Sequence, residues 1–212
     1  HDALPIYLNG RESLIYKKST SVFGIDVAMK AARQTGKVYL VEGAPDVMRL
    51  QSLGIANVVA SLSGHWTKEQ LSNFSSFACS LCFIPDSDVP KQGERFGAGE
   101  RFVFENGRLA TEMGFQVSVR EIPQGDAKQD PDSYITSLDR WNELTEKDFI
   151  LWYTEKHYDT EGTNDEQLKI ISDVCDMLVN VQSDVLQASL LTDLKGKYRK
   201  GTVWKGALTD AA

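Results

Sequence analysis

The sequence is poor in the features that define several large protein classes. Only three of its 212 residues are cysteine (Cys79, Cys82 and Cys175), too few for the disulfide framework of a small secreted domain, so a reducing, cytoplasmic setting is expected. No apolar run approaches the roughly 18–20 residues that cross a bilayer, and no membrane partner is expected. No basic stretch followed by an apolar one opens the chain, so no signal peptide is expected. The chain begins His1-Asp2-Ala3 rather than with Met, and reads as a piece of a longer protein. Internal repeats and low-complexity segments are missing. Cys79-Ser-Leu-Cys82 has neither a second Cys pair nor a His at zinc spacing, so no zinc is expected and core packing is the simpler role.

Basic charge is also in short supply. Lys and Arg number 23 against 30 Asp and Glu, a net charge of −7, while 42% hydrophobic and 25% charged residues are ordinary globular composition. The length suffices for one good core, or one core with a small satellite. The charge is unevenly placed. Residues 130–193 hold 15 acids and 4 bases, read as a solvated helical face, whereas residues 195–205 (KGKYRKGTVWK) hold five bases and no acid. That basic run interleaves with aromatics, as a single-strand binder's does, and equally suits a linker or solvated terminus. The mean charge argues weakly against a nucleic-acid partner, but its distribution leaves room for one.

Along the chain, 1–22 reads as irregular or extended with a turn at Asn9-Gly10, and 25–34 as a helix ending near Gly36. Strands are expected at 37–41, 57–62, 81–85 and 116–122. Helices are expected from Pro45 to Gly54, from Thr67 to about Phe77 behind a Thr-x-x-Gln cap, over 97–113 with a break near Asn106-Gly107, and over 132–138. Strands alternating with helices predict an α/β fold with a parallel sheet and right-handed crossovers. Beyond Leu144 only helices are expected, over 146–157, 167–179 and 184–195, forming an all-helical C-terminal appendage.

In such a sheet ligands bind at the carboxyl ends of the strands. The first strand ends in Glu42-Gly43, the third in Asp86-Ser87-Asp88, and the fourth leads through a Gly-containing loop to Asp130-Pro131-Asp132. Two x-Asp-x-Asp pairs and a Glu could supply five oxygen ligands, with Asp46 one helical turn on as a sixth. Clustered carboxylates repel, and hard oxygen donors favour Mg²⁺ or Mn²⁺, the ions of phosphoryl and nucleotidyl transfer. The competing account is that these acids cap helices and form turns, which Asp130-Pro131-Asp132-Ser133 before a helix suits well.

These residues carry a resemblance. Val41-Glu42-Gly43-Ala44-Pro45-Asp46-Val47, then Val58-Val59-Ala60-Ser61-Leu62, Ile84-Pro85-Asp86-Ser87-Asp88, Ile122-Pro123 and Asp130-Pro131-Asp132-Ser133-Tyr134-Ile135 resemble the TOPRIM domain of bacterial (DnaG-type) primases. Upstream, Asn9-Gly10-Arg11-Glu12 through Lys17-Lys18-Ser19 and Phe23-Gly24-Ile25 is similar to the segment preceding TOPRIM in those enzymes. The resemblance covers roughly residues 8–140. It implies a division into a lead-in from the polymerase domain (1–36), a TOPRIM domain (37–140) and a helical C-terminal part (141–212).

The resemblance implies a DNA primase fragment that joins ribonucleoside triphosphates into short RNA primers on single-stranded DNA, using two or more Mg²⁺ or Mn²⁺ ions, with a replicative helicase as a further partner. It assigns Glu42, Asp86 and Asp88 to catalysis and Glu42, Asp86, Asp88, Asp130 and Asp132 to metal. Lys17 or Lys18 would contact triphosphate or template, Asp46 nucleotide, and His65, after the second strand, nucleic acid or a packed loop. Two other readings stay open: a non-catalytic module binding nucleotide or a helicase, and a nuclease or topoisomerase fragment, for which no catalytic Tyr or basic cleavage groove is evident. The pattern is departed from at 89–96, an insertion carrying Lys91 and Arg95 between the Asp-x-Asp pair and Gly97-Ala98-Gly99.

Overall fold

The computed structural model describes residues 17–61, 63–125, 127–159 and 161–198. The Asn9-Gly10 turn, most of the upstream segment and Arg199–Lys205 of the basic run lie outside them. The fold is α/β, a five-stranded sheet flanked by helices and followed by C-terminal helices. Helix α1 (Ile25–Thr35) leads into β1 (Lys37–Val41), then α2 (Ala44–Ser52), β2 (Val58–Ala60), α3 (Lys68–Ser72), β3 (Ser80–Phe83), α4 (Ala98–Glu112) and β4 (Gln116–Arg120). Short helices α5 (Pro131–Tyr134) and α6 (Leu138–Glu143) precede β5 (Glu146–Asp148), α7 (Phe149–His157), α8 (Asn164–Val179) and α9 (Asp184–Tyr198). The sheet order is β2-β1-β3-β4-β5, with β1 to β4 parallel and β5 antiparallel on the β4 edge.

Each central strand buries both faces, which is why β1 reads as an apolar run with little alternation. Val38 and Leu40 of β1, Leu81 and Phe83 of β3, and Val117 and Val119 of β4 pack with α1, α3, α4, α7, α8 and α9. Val41 and Ile84 turn the other way, onto Val47 and Leu50 of α2, Ile135 and Trp141. Trp152 and Tyr153 belong to the first of these cores, as does Trp66, which meets Phe74 edge-on. Of the Cys-x-x-Cys pair, Cys82 is buried in β3, but Cys79 is exposed, its Sγ 3.6 Å from the Gly36 carbonyl, which corrects the core role for that residue.

Four elements depart from expectation, the first being the helix expected from Thr67 to about Phe77, which ends at Ser72 and continues as turns over 73–77. The chain beyond Leu144 contributes a strand: Glu146-Lys147-Asp148 pairs with β4, and an all-charged three-residue edge strand carries no hydrophobic alternation by which to find it. The stretch expected as one helix over 132–138 is instead two short helices, each started by its own cap, Asp130 and Ser137. Helix α4 runs unbroken through Asn106-Gly107. Asn106 is buried, its amide donating to the Phe102 carbonyl and its Oδ1 accepting the Trp66 N–H at 2.7 Å. Gly107 is there for closeness: a Cβ would lie 2.6 Å from the ring of fully buried Phe149.

Two stability predictions follow from these contacts. Ala gains about 1 kcal/mol over Gly in helix propensity, but overpacking a rigid core costs about 1–3 kcal/mol. Gly107→Ala should therefore lower stability in urea titration despite being the better helix former. Asp148 caps α7, its Oδ1 accepting the Ile150 N–H at 2.8 Å, and burial pushes its carboxyl up to about 6. Between its ordinary value of 3.8 and about 6 the folded chain holds this proton more tightly than the unfolded chain, so stability falls as pH rises through that window. Asp148→Asn keeps the cap oxygen without the charge. It should be more stable than the parent by roughly 1–3 kcal/mol at neutral pH and nearly equal to it near pH 4.

Candidate functional site

The topology opens a crevice at one place. The chain leaves β1 through α2 toward one face of the sheet and leaves β3 through α4 toward the other, while β1 and β3 are hydrogen-bonded neighbours. A gap outside the carboxyl ends of two such strands is where open α/β sheets hold ligands. Glu42 follows β1 directly and Asp86 follows β3 by three residues, so the two acids flank this gap, with Glu42 Oε1 accepting the Asp86 N–H at 3.4 Å.

Asp86 and Asp88 are joined by a base that the sequence reading passed over. Lys128 Nζ lies 2.7 Å from Asp86 Oδ2 and 3.2 Å from Asp88 Oδ1. A two-residue antiparallel bridge delivers it, in which Ser87 and Gln129 exchange both backbone hydrogen bonds (2.7 and 3.2 Å). Lys128 is the sole base between Arg120 and Arg140, a weak signal that could have singled it out. The other oxygen of Asp86, Oδ1, is buried without a hydrogen-bond partner. The start of α4 lies directly on this segment. Gly99 N–H donates to Asp88 Oδ2 at 3.0 Å, and a Cβ on Gly99 would stand 2.1 Å from the Asp86 carbonyl oxygen. The glycines of Gly97-Ala98-Gly99 thus permit close approach of two backbones.

A second layer ties the loops together. Asp46, buried at the start of α2, accepts the Gly43 N–H and the Asp132 N–H, each at 3.0 Å, and so clamps the β1–α2 turn to the 130–132 loop. Asp132 Oδ1 takes Arg49 Nε at 2.9 Å, a partner not foreseen from sequence. Asp130 caps α5 by accepting the Ser133 N–H at 2.8 Å, so the helix-capping role considered for this run is present. Glu42, Asp86 and Asp88 thus converge, Asp46 ties the turn after Glu42 to the 130–132 loop, and Asp130 and Asp132 border them with one oxygen each engaged.

Crowding of buried acids has the expected electrostatic result. Burial, and then the neighbouring Asp86, push the Glu42 carboxyl up to about 7. Burial raises Asp46 to about 7 against its two backbone donors. Burial raises Asp86 as well, opposed by Lys128. Asp130 is partly buried, but its bonds to Ser133 hold it below the usual carboxylate range.

The remaining expected residues lie around this centre. Lys17 and Lys18 are exposed in a turn before α1, whose backbone is fastened to α3 by Gln70 Nε2 donating to the Lys18 and Ser21 carbonyls. His65 pairs with Glu105 of α4 at 3.2 Å rather than with the carboxylates. Arg95, in the insertion, donates to the Lys156 and His157 carbonyls at the end of α7. It also lines a cavity of about 480 Å³ shared with Asp86, Asp88, Glu100, Glu121 and Lys156.

The residues at hand suit a hard divalent cation. The donors are all oxygens, and one is buried and unpartnered. The charge already drawn to the pair is a single ammonium, that of Lys128. Among the described residues, no group of three Asp, Glu, His or Cys side chains is arranged to hold a metal ion.

Comparison with known proteins agrees with this geometry. Residues 39–135 match the Toprim-like family. The chain is 33% identical over 135 residues to the DNA primase of Clostridium acetobutylicum, an alignment covering 63% of this chain and 20% of that one. The chain therefore spans about a fifth of the length of such relatives. In structure it resembles the Aquifex aeolicus primase zinc-binding and RNA polymerase domains (TM-score 0.67, 25% identity, 95% of this chain and 47% of that one). It also shares the fold of a DnaG primase catalytic domain bound to single-stranded DNA (TM-score 0.66, 21% identity, 92% and 61%). The crevice between β1 and β3, with its acids, thus lies in a Toprim domain homologous to that of the DnaG-type DNA primases.

Proposed function

We propose that this chain supplies the Toprim part of a primase catalytic domain, which extends short RNA primers from ribonucleoside triphosphates on a single-stranded DNA template. The supporting observation is the convergence of Glu42, Asp86 and Asp88 at the switch point, with a buried Asp86 oxygen left unpartnered. On this reading residues 1–36 close the preceding polymerase subdomain, 37–140 form the Toprim domain, and 141–212 form a C-terminal subdomain whose first complete element is strand β5.

Toprim domains generally bind Mg²⁺. Asp86 and Asp88 would hold the ion, with Asp130 and Asp132 at the rim for a second. Bound there, such ions would supply positive charge to a triphosphate under attack and to its pyrophosphate leaving group. Glu42, which accepts the Asp86 N–H and is pushed up by burial to about 7, would take the proton from the attacking 3′-hydroxyl. Asp46 contributes by fixing the turn that carries Glu42. The adjoining cavity of about 480 Å³, with Arg95 and Lys156 on its wall, accommodates the polyphosphate. The net charge of −7 fits a chain whose phosphate-neutralising partner surface lies elsewhere in a longer primase. The acidic C-terminal helices are the surface offered to a replicative helicase.

The roles separate experimentally. The Asp86→Asn/Asp88→Asn double variant should lose saturable Mn²⁺ binding by calorimetry while still melting cooperatively. Glu42→Gln should retain Mn²⁺ binding but, in the full-length protein, lose primer synthesis by about 10²–10⁴-fold, the range of a general base. Retained synthesis in the double variant would refute the assignment. Mn²⁺ binding with no synthesis by the intact protein would favour a binding module instead.

A further inference from the structure

The acids at the switch point have a tethered cation of their own, and its placement differs from that of an ordinary structural ion pair. The two carboxylates are fixed: the Asp86 side chain is 9% exposed and that of Asp88 14%, and the backbone beneath them is pressed against the start of α4. The lysine is not fixed. Its side chain is 57% exposed and reaches the acids from the solvent side, on a four-carbon stem that has other rotamers to occupy. Only its backbone is held, by the Ser87–Gln129 bridge next to it.

An ammonium bridging Asp86 Oδ2 and Asp88 Oδ1 sits in the space a shared divalent cation would take. Two positive centres cannot share it: an ion about 2.0–2.1 Å from those oxygens would overlap the ammonium and repel it. The ammonium also leaves Asp86 Oδ1, buried and unpartnered, without a bond, so the site is only partly charge-compensated and is not coordinatively filled.

Resting on the metal reading above, we propose that Lys128 is a built-in counter-ion: it holds Asp86 and Asp88 together in the vacant site, and a divalent cation enters only by displacing it. The acids are thereby kept in place without metal, at the cost of apparent metal affinity, because only the lysine-out population binds. Displacement releases a positive side chain at the mouth of the site whenever the ion is in place.

The test compares wild type, Lys128→Met and Lys128→Arg for Mn²⁺ affinity by calorimetry and for melting in EDTA. Lys128→Met should bind Mn²⁺ about tenfold more tightly, as expected if roughly a tenth of the wild-type molecules hold the lysine out. It should also melt lower than wild type in EDTA and recover in Mn²⁺. Lys128→Arg should stay close to wild type in both. A second measurement needs no variant: amine-selective labelling of wild-type protein, read by peptide mass spectrometry, should find Lys128 protected in EDTA and labelled in Mn²⁺. Unchanged or weaker Mn²⁺ binding by Lys128→Met, or labelling of Lys128 that ignores Mn²⁺, overturns the proposal. The Asp86→Asn/Asp88→Asn variant separates the two ideas. If it abolishes Mn²⁺ binding while Lys128→Met binds as wild type does, the metal site stands and only the exchange fails. If it binds Mn²⁺ normally, or if no form binds Mn²⁺, the metal reading fails and takes the exchange with it.

Discussion

Like charges held in a partly dry crevice are the constraint on which the rest of the site depends. Glu42, Asp46 and Asp86 are each pushed toward the protonated form by burial, and the Asp86 charge raises the cost of ionising the other two. A fold tolerates this only where donors are aimed at the acids, since a buried charge without partners is among the costliest features a protein can carry. The donors are backbone amides, Gly43 and Asp132 to Asp46, Asp86 to Glu42 and Gly99 to Asp88, with one flexible ammonium, Lys128. Backbone donors cannot be moved without moving the sheet. The lysine can, and it is therefore the natural element to yield when a stronger cation arrives.

The scaffold is organised around keeping those amides in register. Close contact between α4 and the Asp86–Asp88 segment needs glycine at 97 and 99, and the far half of the same helix needs glycine at 107 to receive Phe149 of α7. One helix therefore links the crevice to the C-terminal part of the chain. The insertion that precedes it is fastened to the end of α7 through Arg95, and Lys156 of α7 reaches back to Glu100 of α4 and to Glu121 after β4. Beyond residue 144 the chain is an extension of the sheet and of its larger core, through β5, Phe149 and Trp152.

What could be read in the sequence followed the strength of the physical signal. Strands β1 and β3 and the α2 cap region carry apolar runs and a Pro-Asp start, so the sequence alone places the strand ends and their acids on one edge of a sheet. Helix α5 was half legible, because Asp130 and Ser133 are both a capping pair and part of an acidic motif. Strand β5 was not legible, since three charged edge residues pair through backbone groups alone. Lys128 was not legible because its importance is a matter of distance. A single loop lysine acquires meaning only when the Ser87–Gln129 bridge brings it to Asp86. Glycine at 107 was misread as a break because local propensity cannot see a ring arriving from a helix forty residues later.

The acidity of the chain follows the same logic at larger scale. Several acids of the 130–193 stretch are spent internally: Glu146 on Lys37 and Ser118, Glu155 on Lys147 and Lys197, and Asp173 on Arg108 and the Tyr153 hydroxyl. Those that remain on the surface add a negative field that repels a polyanion over a distance of about a Debye length, ~8–10 Å in ordinary salt. A polyphosphate would thus be drawn to this chain only where the field is locally reversed. Among the described residues, Lys128, Arg95, Lys156 and the rim residue Arg49 are bases at or beside the crevice, and all but Arg95 are already paired with carboxylates. A divalent ion replacing Lys128 would cancel the negative charge that Asp86 and Asp88 still carry beside one ammonium, and release one of those bases. In an acidic chain, metal entry and anion attraction would then be coupled at the same crevice.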